Sequence, residues 1–197
     1  MNTFRHYLAL VYLLTVPPAM LMWVIIHPFV ELWRKIGPVW TYVIATIFVG
    51  SVAAGLFQAH EALLAVDYGT NWLFVALGGI GVTTGVRLRM LLHRHFSNQQ
   101  LMGLPELAPD RLPQRLVTEG LHARVRHPRY LQFLLVVASL ALIANHLALY
   151  VVAALLVPGI RLVVLLEERE LRERFGPAYD EYSRRVPRFI PRWRGRK

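Results

Sequence analysis

The chain has 197 residues, 55% of them hydrophobic and 17% charged, with no cysteine and a formal net charge of +10. So apolar a composition excludes an ordinary soluble domain and places the chain in a bilayer, and the missing cysteine excludes disulfides, zinc–thiolate sites and a cysteine nucleophile. The basic residues cluster beside apolar runs rather than over a polar domain, which speaks against nucleic acid and for anionic lipid headgroups and membrane topology.

A bilayer core about 30 Å thick takes about 20 apolar residues per helix. Three such runs come first, Tyr7 to Ile26, Trp40 to Leu64 and Trp72 to Leu92. The first lacks the small-residue signature of a cleaved signal peptide and is expected to stay as an anchor. Pro17-Pro18 is expected to interrupt and kink it, because each proline removes a backbone donor that a neighbouring helix must cover. The third run holds Gly78-Gly79-Ile80-Gly81 and a Gly81 to Gly85 spacing of four. That pattern suits close helix packing, and Gly79 or Gly81 is the alternative place for a ligand to reach the backbone. Ser97 to Glu119, broken by Pro105, Pro109 and Pro113, is predicted to be a cytoplasmic interfacial segment. Its Leu101, Leu104, Leu107, Leu112 and Leu116 would rest on headgroups, roof a cavity or belong to a plain surface linker.

The fourth run, Leu131 to Ile160, contains no Asp, Glu, Lys or Arg. As one helix of 30 residues it would reach about 45 Å, too long for one span. Asn145-His146 offers a polar break, and a hairpin with arms Tyr130 to Ala144 and Leu147 to Leu166 is the alternative. The basic residues decide. No Lys or Arg lies between Ile36 and Val86, so the connection carrying Glu61 and Asp67 is expected outside. Arg87, Arg89, Arg94, Arg111, Arg115, Arg124, Arg126 and Arg129 then face the cytoplasm, as do the seven basic residues from Arg184 to Lys197. An even number of crossings between the two basic regions selects the hairpin. The predicted architecture is an all-α integral membrane protein of about five transmembrane helices, amino terminus outside and carboxyl terminus cytoplasmic. It forms one membrane domain over 1–197, with three helices in 1–93, a connecting segment at 94–129, and a hairpin with its carboxyl-terminal segment in 120–191.

Two charged clusters sit where apolar segments meet water. Arg126-His127-Pro128-Arg129-Tyr130 precedes the hairpin, where the Arg126 guanidinium can grip a carboxylate bidentately and Pro128 suits a first helical turn. The other reading is that these residues anchor a helix start beside acidic lipid. Glu167-Glu168 follows directly on apolar Leu162 to Leu166, and carboxylates so near hydrocarbon need a cationic partner. That partner is either a ligand or an internal network with Arg161, Arg169 or Arg172. Together the clusters can bracket a zwitterionic or cationic cofactor at one membrane face. No metal site is expected, since His93 and His95 point to different sides of a helix and no zinc-helix spacing occurs.

Gly120, Arg126-His127-Pro128-x-Tyr130, the hairpin, Glu167-Glu168-x-x-Leu171-x-x-x-Phe175-Gly176-x-x-Tyr179-x-x-Tyr182 and Val186-Pro187-Arg188-Phe189-Ile190-Pro191 together resemble the isoprenylcysteine carboxyl methyltransferase family, with phospholipid methyltransferases as its wider relatives. The resemblance covers about the carboxyl-terminal third and implies an integral membrane methyltransferase using S-adenosylmethionine. Carried over by position, it implies that Arg126, His127, Pro128 and Tyr130 line the cofactor pocket and that Arg126 takes the cofactor carboxylate. Glu167 and Glu168 would hold its cationic amino-acid end, and Tyr179 and Tyr182 would help close it. The chain has Leu121-His122 where members commonly carry Pro-Tyr, which affects contacts from that turn.

Methyl transfer needs alignment and exclusion of water rather than a covalent nucleophile. Arg126, His127 and Glu167 are the catalytic candidates, the latter two where an acceptor must lose a proton. A lipophilic or membrane-associated acceptor is expected to enter laterally from the bilayer. The compact chain resembles a prokaryotic member, which implies an inner (cytoplasmic) membrane and an acceptor that need not be a prenylated protein. Two other readings stand beside this one: a membrane reductase of the sterol-reductase type using NADPH, and a non-enzymatic membrane accessory protein. Oligomeric state is not legible.

Overall fold

The computed structural model describes residues 1–26, 29–93 and 116–191. It is all-helical among these residues, with helices α1 (Asn2–Ile26), α2 (Val30–Ile36), α3 (Pro38–Gln58), α4 (His60–Leu63), α5 (Trp72–His93), α6 (Pro128–Ala144), α7 (Leu147–Phe175) and α8 (Pro177–Arg185), and a 3-10 turn at Gly120–Ala123. Helices α1, α3, α5 and α7 are long and apolar enough to cross a membrane, and α6 is a shorter apolar helix. This is the architecture of an all-α integral membrane protein. The inferred Ser97 to Glu119 insertion lies outside the described residues except for its last four positions, as do Arg94, His95, Arg111, Arg115 and the tail from Arg192.

The hairpin turns at Asn145-His146. Asn145 takes a left-handed conformation, φ 57° and ψ 45°, and its amide bonds the Ala141 carbonyl at 2.8 Å; asparagine tolerates that region better than most side chains. Two boundaries differ from expectation. The first arm begins at Pro128 rather than Tyr130, because proline fits the first helical turn, where its missing N–H costs nothing. The second arm does not end at Leu166 but runs on to Phe175. Its 29 residues make about 43 Å, more than the hydrocarbon needs, so its last turns carry Glu167 and Glu168 past the apolar layer. At the first run, α1 is assigned without interruption through Pro17 and Pro18, and the Pro18 ring is fully buried. The expected interruption is corrected to a continuous helix packed by α3, α6 and α7.

Helix α5 lies along α6, and its glycines are the reason. A Cβ at Gly78 would stand 2.7 Å from the Ser139 carbonyl oxygen, one at Gly81 would strike the Ser139 hydroxyl, and one at Gly85 would strike Val136, whereas Gly79 faces open space. Helix α3 packs on α1 and buries only Thr41, leaving the rest of its apolar surface for lipid.

At one end of the bundle the fully buried Arg5 ties three segments together. Its Nε and Nη2 donate to the Ala144 carbonyl at 3.0 and 2.8 Å, and Nη2 also pairs with Asp67. The Asn145 amide nitrogen donates to the Gly69 carbonyl at 2.9 Å, and Tyr150 Oη donates to Asn145 Oδ1 at 2.7 Å. The start of α1, the 64–71 connection and the hairpin turn therefore share this face. Arg126 and Glu168 lie at the opposite end.

Candidate functional site

The site is assembled from three stretches of chain. Backbone bonds come first: the Arg126 amide donates to the Pro187 carbonyl at 2.8 Å and the His127 amide to the Arg188 carbonyl at 3.2 Å. These lay the segment after α8 beside the start of α6. Gly176, at φ 52°, makes the sharp turn from α7 into α8 that brings this segment back.

Glu168 is the centre. It has no exposed surface, and both oxygens are taken by cations of the same chain. Oε1 accepts from Arg126 Nη2 at 2.8 Å, Arg188 Nε at 2.9 Å and His127 Nε2 at 3.1 Å; Oε2 accepts from Arg188 Nη2 at 2.8 Å and lies 3.7 Å from Arg172. Arg126 Nη1 also donates to the Ser183 carbonyl at 2.6 Å. The bidentate fork of Arg188 on Glu168 pushes that guanidinium further above its ordinary range, against a smaller opposing effect of burial. With Oε1 already accepting from two guanidiniums, His127 Nε2 donates to it as well, which fixes the ring's orientation and turns Nδ1 toward Glu167 Oε2 at 3.6 Å.

The two glutamates therefore differ. Glu168 is closed off, while Glu167 is partly exposed and its Oε2 makes no hydrogen bond. Arg126 Nε and the Tyr179 hydroxyl are likewise buried without a hydrogen bond. Buried polar atoms are rarely left so, and here three collect around one end of the bundle.

Tyr179 and Tyr182 pack with Val186 into a small core against Leu116, Leu171 and Phe175. Tyr182 Oη donates to the His122 carbonyl at 2.8 Å, so the Leu121-His122 turn meets it through its backbone. Burial, partly offset by the Arg126 charge, pushes the Tyr182 phenol up to about 12, and burial raises Tyr179 further. Tyr130 stands on the other side of His127, ring centroids 5.9 Å apart, and edge-on to Trp23 at 6.0 Å. Beside it a cavity of about 200 Å³ opens among α1, α5, α6 and α7.

All the inferred site residues thus gather at one end of the bundle, Arg126, His127 and Glu168 in direct contact. The internal network anticipated for the glutamates exists, with one of the three arginines named for it, Arg172, at its edge and with Arg126 and Arg188 at its centre. Arg161 is exposed on α7 and Arg169 pairs with Glu173 at 3.0 Å, leaving only Arg172 at the margin. Seven residues put Arg161 on the same stripe as Glu168 but about 10 Å away along the axis, and helical side chains lean toward the amino end, away from it. The residue missed is Arg188. Its signal was the Pro187-Arg188 step, quoted as pattern but given no role.

Among the described residues no group of three metal-ligating side chains is assembled. The fold and the site define an all-α membrane protein with a buried, arginine-braced carboxylate at one end of the bundle. The chain is 40% identical over 83 residues to methanethiol S-methyltransferase 1 of Bradyrhizobium diazoefficiens, covering 42% of this chain and 28% of the relative. It is 43% identical over 82 residues to methanethiol S-methyltransferase 2 of the same organism, covering 40% and 30%. It is also 25% identical over 162 residues to the nickel-cobalt-cadmium resistance protein NccN of Alcaligenes xylosoxydans xylosoxydans, covering 81% and 65%. The chain spans less than a third of the length of the two methyltransferases and just under two thirds of NccN. No family model matches the chain. No solved structure matches it.

Proposed function

We propose that this protein is an integral membrane methyltransferase that binds S-adenosylmethionine at the Glu168 end of the bundle and methylates a lipophilic or membrane-associated acceptor. The observation that carries the reading is the set of unsatisfied buried atoms, Glu167 Oε2 and Arg126 Nε, flanking a carboxylate that is already neutralised. An acceptor oxygen and a guanidinium donor so placed fit the ammonium and carboxylate of an amino-acid moiety. The partial likeness to two methanethiol S-methyltransferases supports the same chemistry.

In this reading Glu167 holds the ammonium and Arg126 the carboxylate, with Glu168 and Arg188 as positioning residues that keep Arg126 in place. Tyr179 and Tyr182 wall the site, Tyr130 lines the adjoining cavity between the helices, and His127, held by Glu168, is the group placed to take a proton from a protic acceptor. When bound, S-adenosylmethionine supplies a methyl group activated on a sulfonium. What remains for the protein is alignment and dryness, both of which a site at the end of an apolar bundle provides. The basic residues of α5, of the start of α6 and of the chain after α8 support an orientation with this end toward the cytoplasm of a prokaryotic cell, by the positive-inside rule.

Calorimetric titration of the detergent-purified protein with S-adenosylmethionine and S-adenosylhomocysteine, with NADPH as comparison, tests the proposal. Saturable binding of the first two that an Arg126→Ala variant loses is the expected result. Binding of NADPH alone would replace the reading with a reductase, and binding of none by a folded sample would replace it with an accessory role. The likeness over 81% of the chain to NccN, named for metal resistance and not for methyl transfer, is the reason that last outcome belongs in the test.

A further inference from the structure

The cavity beside Tyr130 bears on what the acceptor is. Its walls come from four helices: Met20 and Trp23 of α1, Arg89 of α5, Arg129 of α6, and Gly159 and Val163 of α7 are among its lining. Most of the lining is apolar, yet two arginines belong to it, the half-buried Arg129 and the exposed Arg89, and neither forms an ion pair with an acid among the described residues. Arg129 is fixed instead by aromatic faces, its Cζ 4.4 Å from the Trp23 ring centroid and 5.9 Å from that of Tyr130. Stacking of this kind holds a guanidinium in place without using its N–H donors on a carboxylate. Glycine at position 159 lets the end of the Met20 side chain lie against α7, where a Cβ would collide with it.

Size limits the occupant. The volume is about 200 Å³, whereas an apolar cavity of about 150 Å³ holds benzene. Methanethiol would leave most of such a space empty, and a long prenyl chain would extend well beyond it. We infer that the cavity is the acceptor site and that the acceptor is a compact apolar molecule, about the size of a substituted benzene ring, whose nucleophile is an anion held by Arg129 and Arg89. The inference rests on the methyltransferase reading for its chemistry. A carboxylate or thiolate lone pair forms the new O–CH3 or S–CH3 bond while the methyl–sulfonium bond breaks, its electron pair going to sulfur, so a neutral thioether leaves and no proton is moved.

The test uses the full chain in detergent, with 3-phenylpropanoate as binding probe and 3-phenylpropanethiol, methanethiol and a farnesyl thiol as competing acceptors. Binding of S-adenosylmethionine is measured on every sample. Saturable binding of the acid is expected, weakened by about tenfold to a hundredfold in Arg129→Gln, as for loss of one charge-assisted hydrogen bond. A similar weakening is expected in Gly159→Val, which adds side-chain volume to the lining and displaces the Met20 end that also lines it, with cofactor binding kept in both variants. Methyl transfer should favour 3-phenylpropanethiol over the other two. Preference for methanethiol or for the farnesyl thiol would overturn the inference and leave the methyltransferase reading standing. Displacement of the acid by anionic phospholipid alone, with no acceptor methylated at the site, would assign the arginines to lipid headgroups and overturn it too. Acid binding without binding of S-adenosylmethionine would remove the methyltransferase reading and the acceptor role with it.

Discussion

Two adjacent glutamates stand in opposite situations, and substitutions should separate them. Glu168→Gln leaves Arg126 and the partly exposed Arg188 beside a neutral amide at a fully buried position, and breaking a pair whose acid is buried in this way costs about 3 kcal/mol. Thermal unfolding in detergent should show a fall of about 6 to 12 °C for a chain of this size. Glu167→Gln removes a carboxylate oxygen that makes no hydrogen bond inside the protein, so its melting temperature should stay within about 2 °C of the wild type. Its affinity for S-adenosylmethionine, read by calorimetry, should drop by about tenfold or more. Equal losses of stability in both variants would make the pair purely structural. The buried Tyr182 phenol carries a pH prediction. In the unfolded chain it ionises near 10, whereas in the fold burial pushes it up to about 12. The unfolded state therefore binds fewer protons between those values, so stability is intact below about 10 and lost as pH rises through about 12. Tyr182→Phe should flatten that part of the stability curve, at the cost of the bond to the His122 carbonyl.

At the scale of the element, the α5–α6 contact distinguishes neighbouring glycines. Gly78→Ala places a methyl group against a backbone carbonyl that cannot move aside cheaply, and overpacking of this kind costs about 1–3 kcal/mol. Gly79→Ala meets nothing and should be neutral or slightly stabilising through its better helix propensity. Parallel melting curves for the two variants check both statements. The hairpin turn offers a second contrast. Burial works to raise the Asp67 carboxyl, but the Gly69 amide, the Arg5 guanidinium and His146 outweigh it and hold the group below its usual range. Arg5→Met would free this carboxylate and strip two donors from the Ala144 carbonyl. A stability loss of several kcal/mol is expected, with proteolytic sensitivity appearing at the 64–71 connection rather than at the Glu168 end.

For the whole molecule, alternating helices put the Arg5–Asp67–Asn145 cluster on one face and the Arg126–Glu168–Arg188 cluster on the other. The natural absence of cysteine makes this directly measurable. Tyr68→Cys, at an exposed position of the first face, should react with a membrane-impermeant maleimide applied to intact cells, and Lys35→Cys should react only after lysis. The opposite pattern would invert the proposed orientation. Composition, run lengths and the placement of arginine determined by themselves the all-helical membrane class, the hairpin break at Asn145 and the cluster of residues at its base. These follow from solvent: a bilayer demands apolar length and satisfied backbone, and turn chemistry is local. What only the tertiary structure decided is partnership. Spacing along α7 suggests Arg161, Arg169 or Arg172 for the glutamates, of which only Arg172 comes near, at 3.7 Å, while the close partners arrive from Arg126, before α6, and from Arg188, after α8. Sequence also gives Glu167 and Glu168 the same part in holding the cofactor's cationic end, and nothing local says which of them is buried. The geometry of α7 turns one into the bundle to be saturated by arginines and leaves the other with an oxygen to spare, because neutralising a buried charge depends on which segments meet in space.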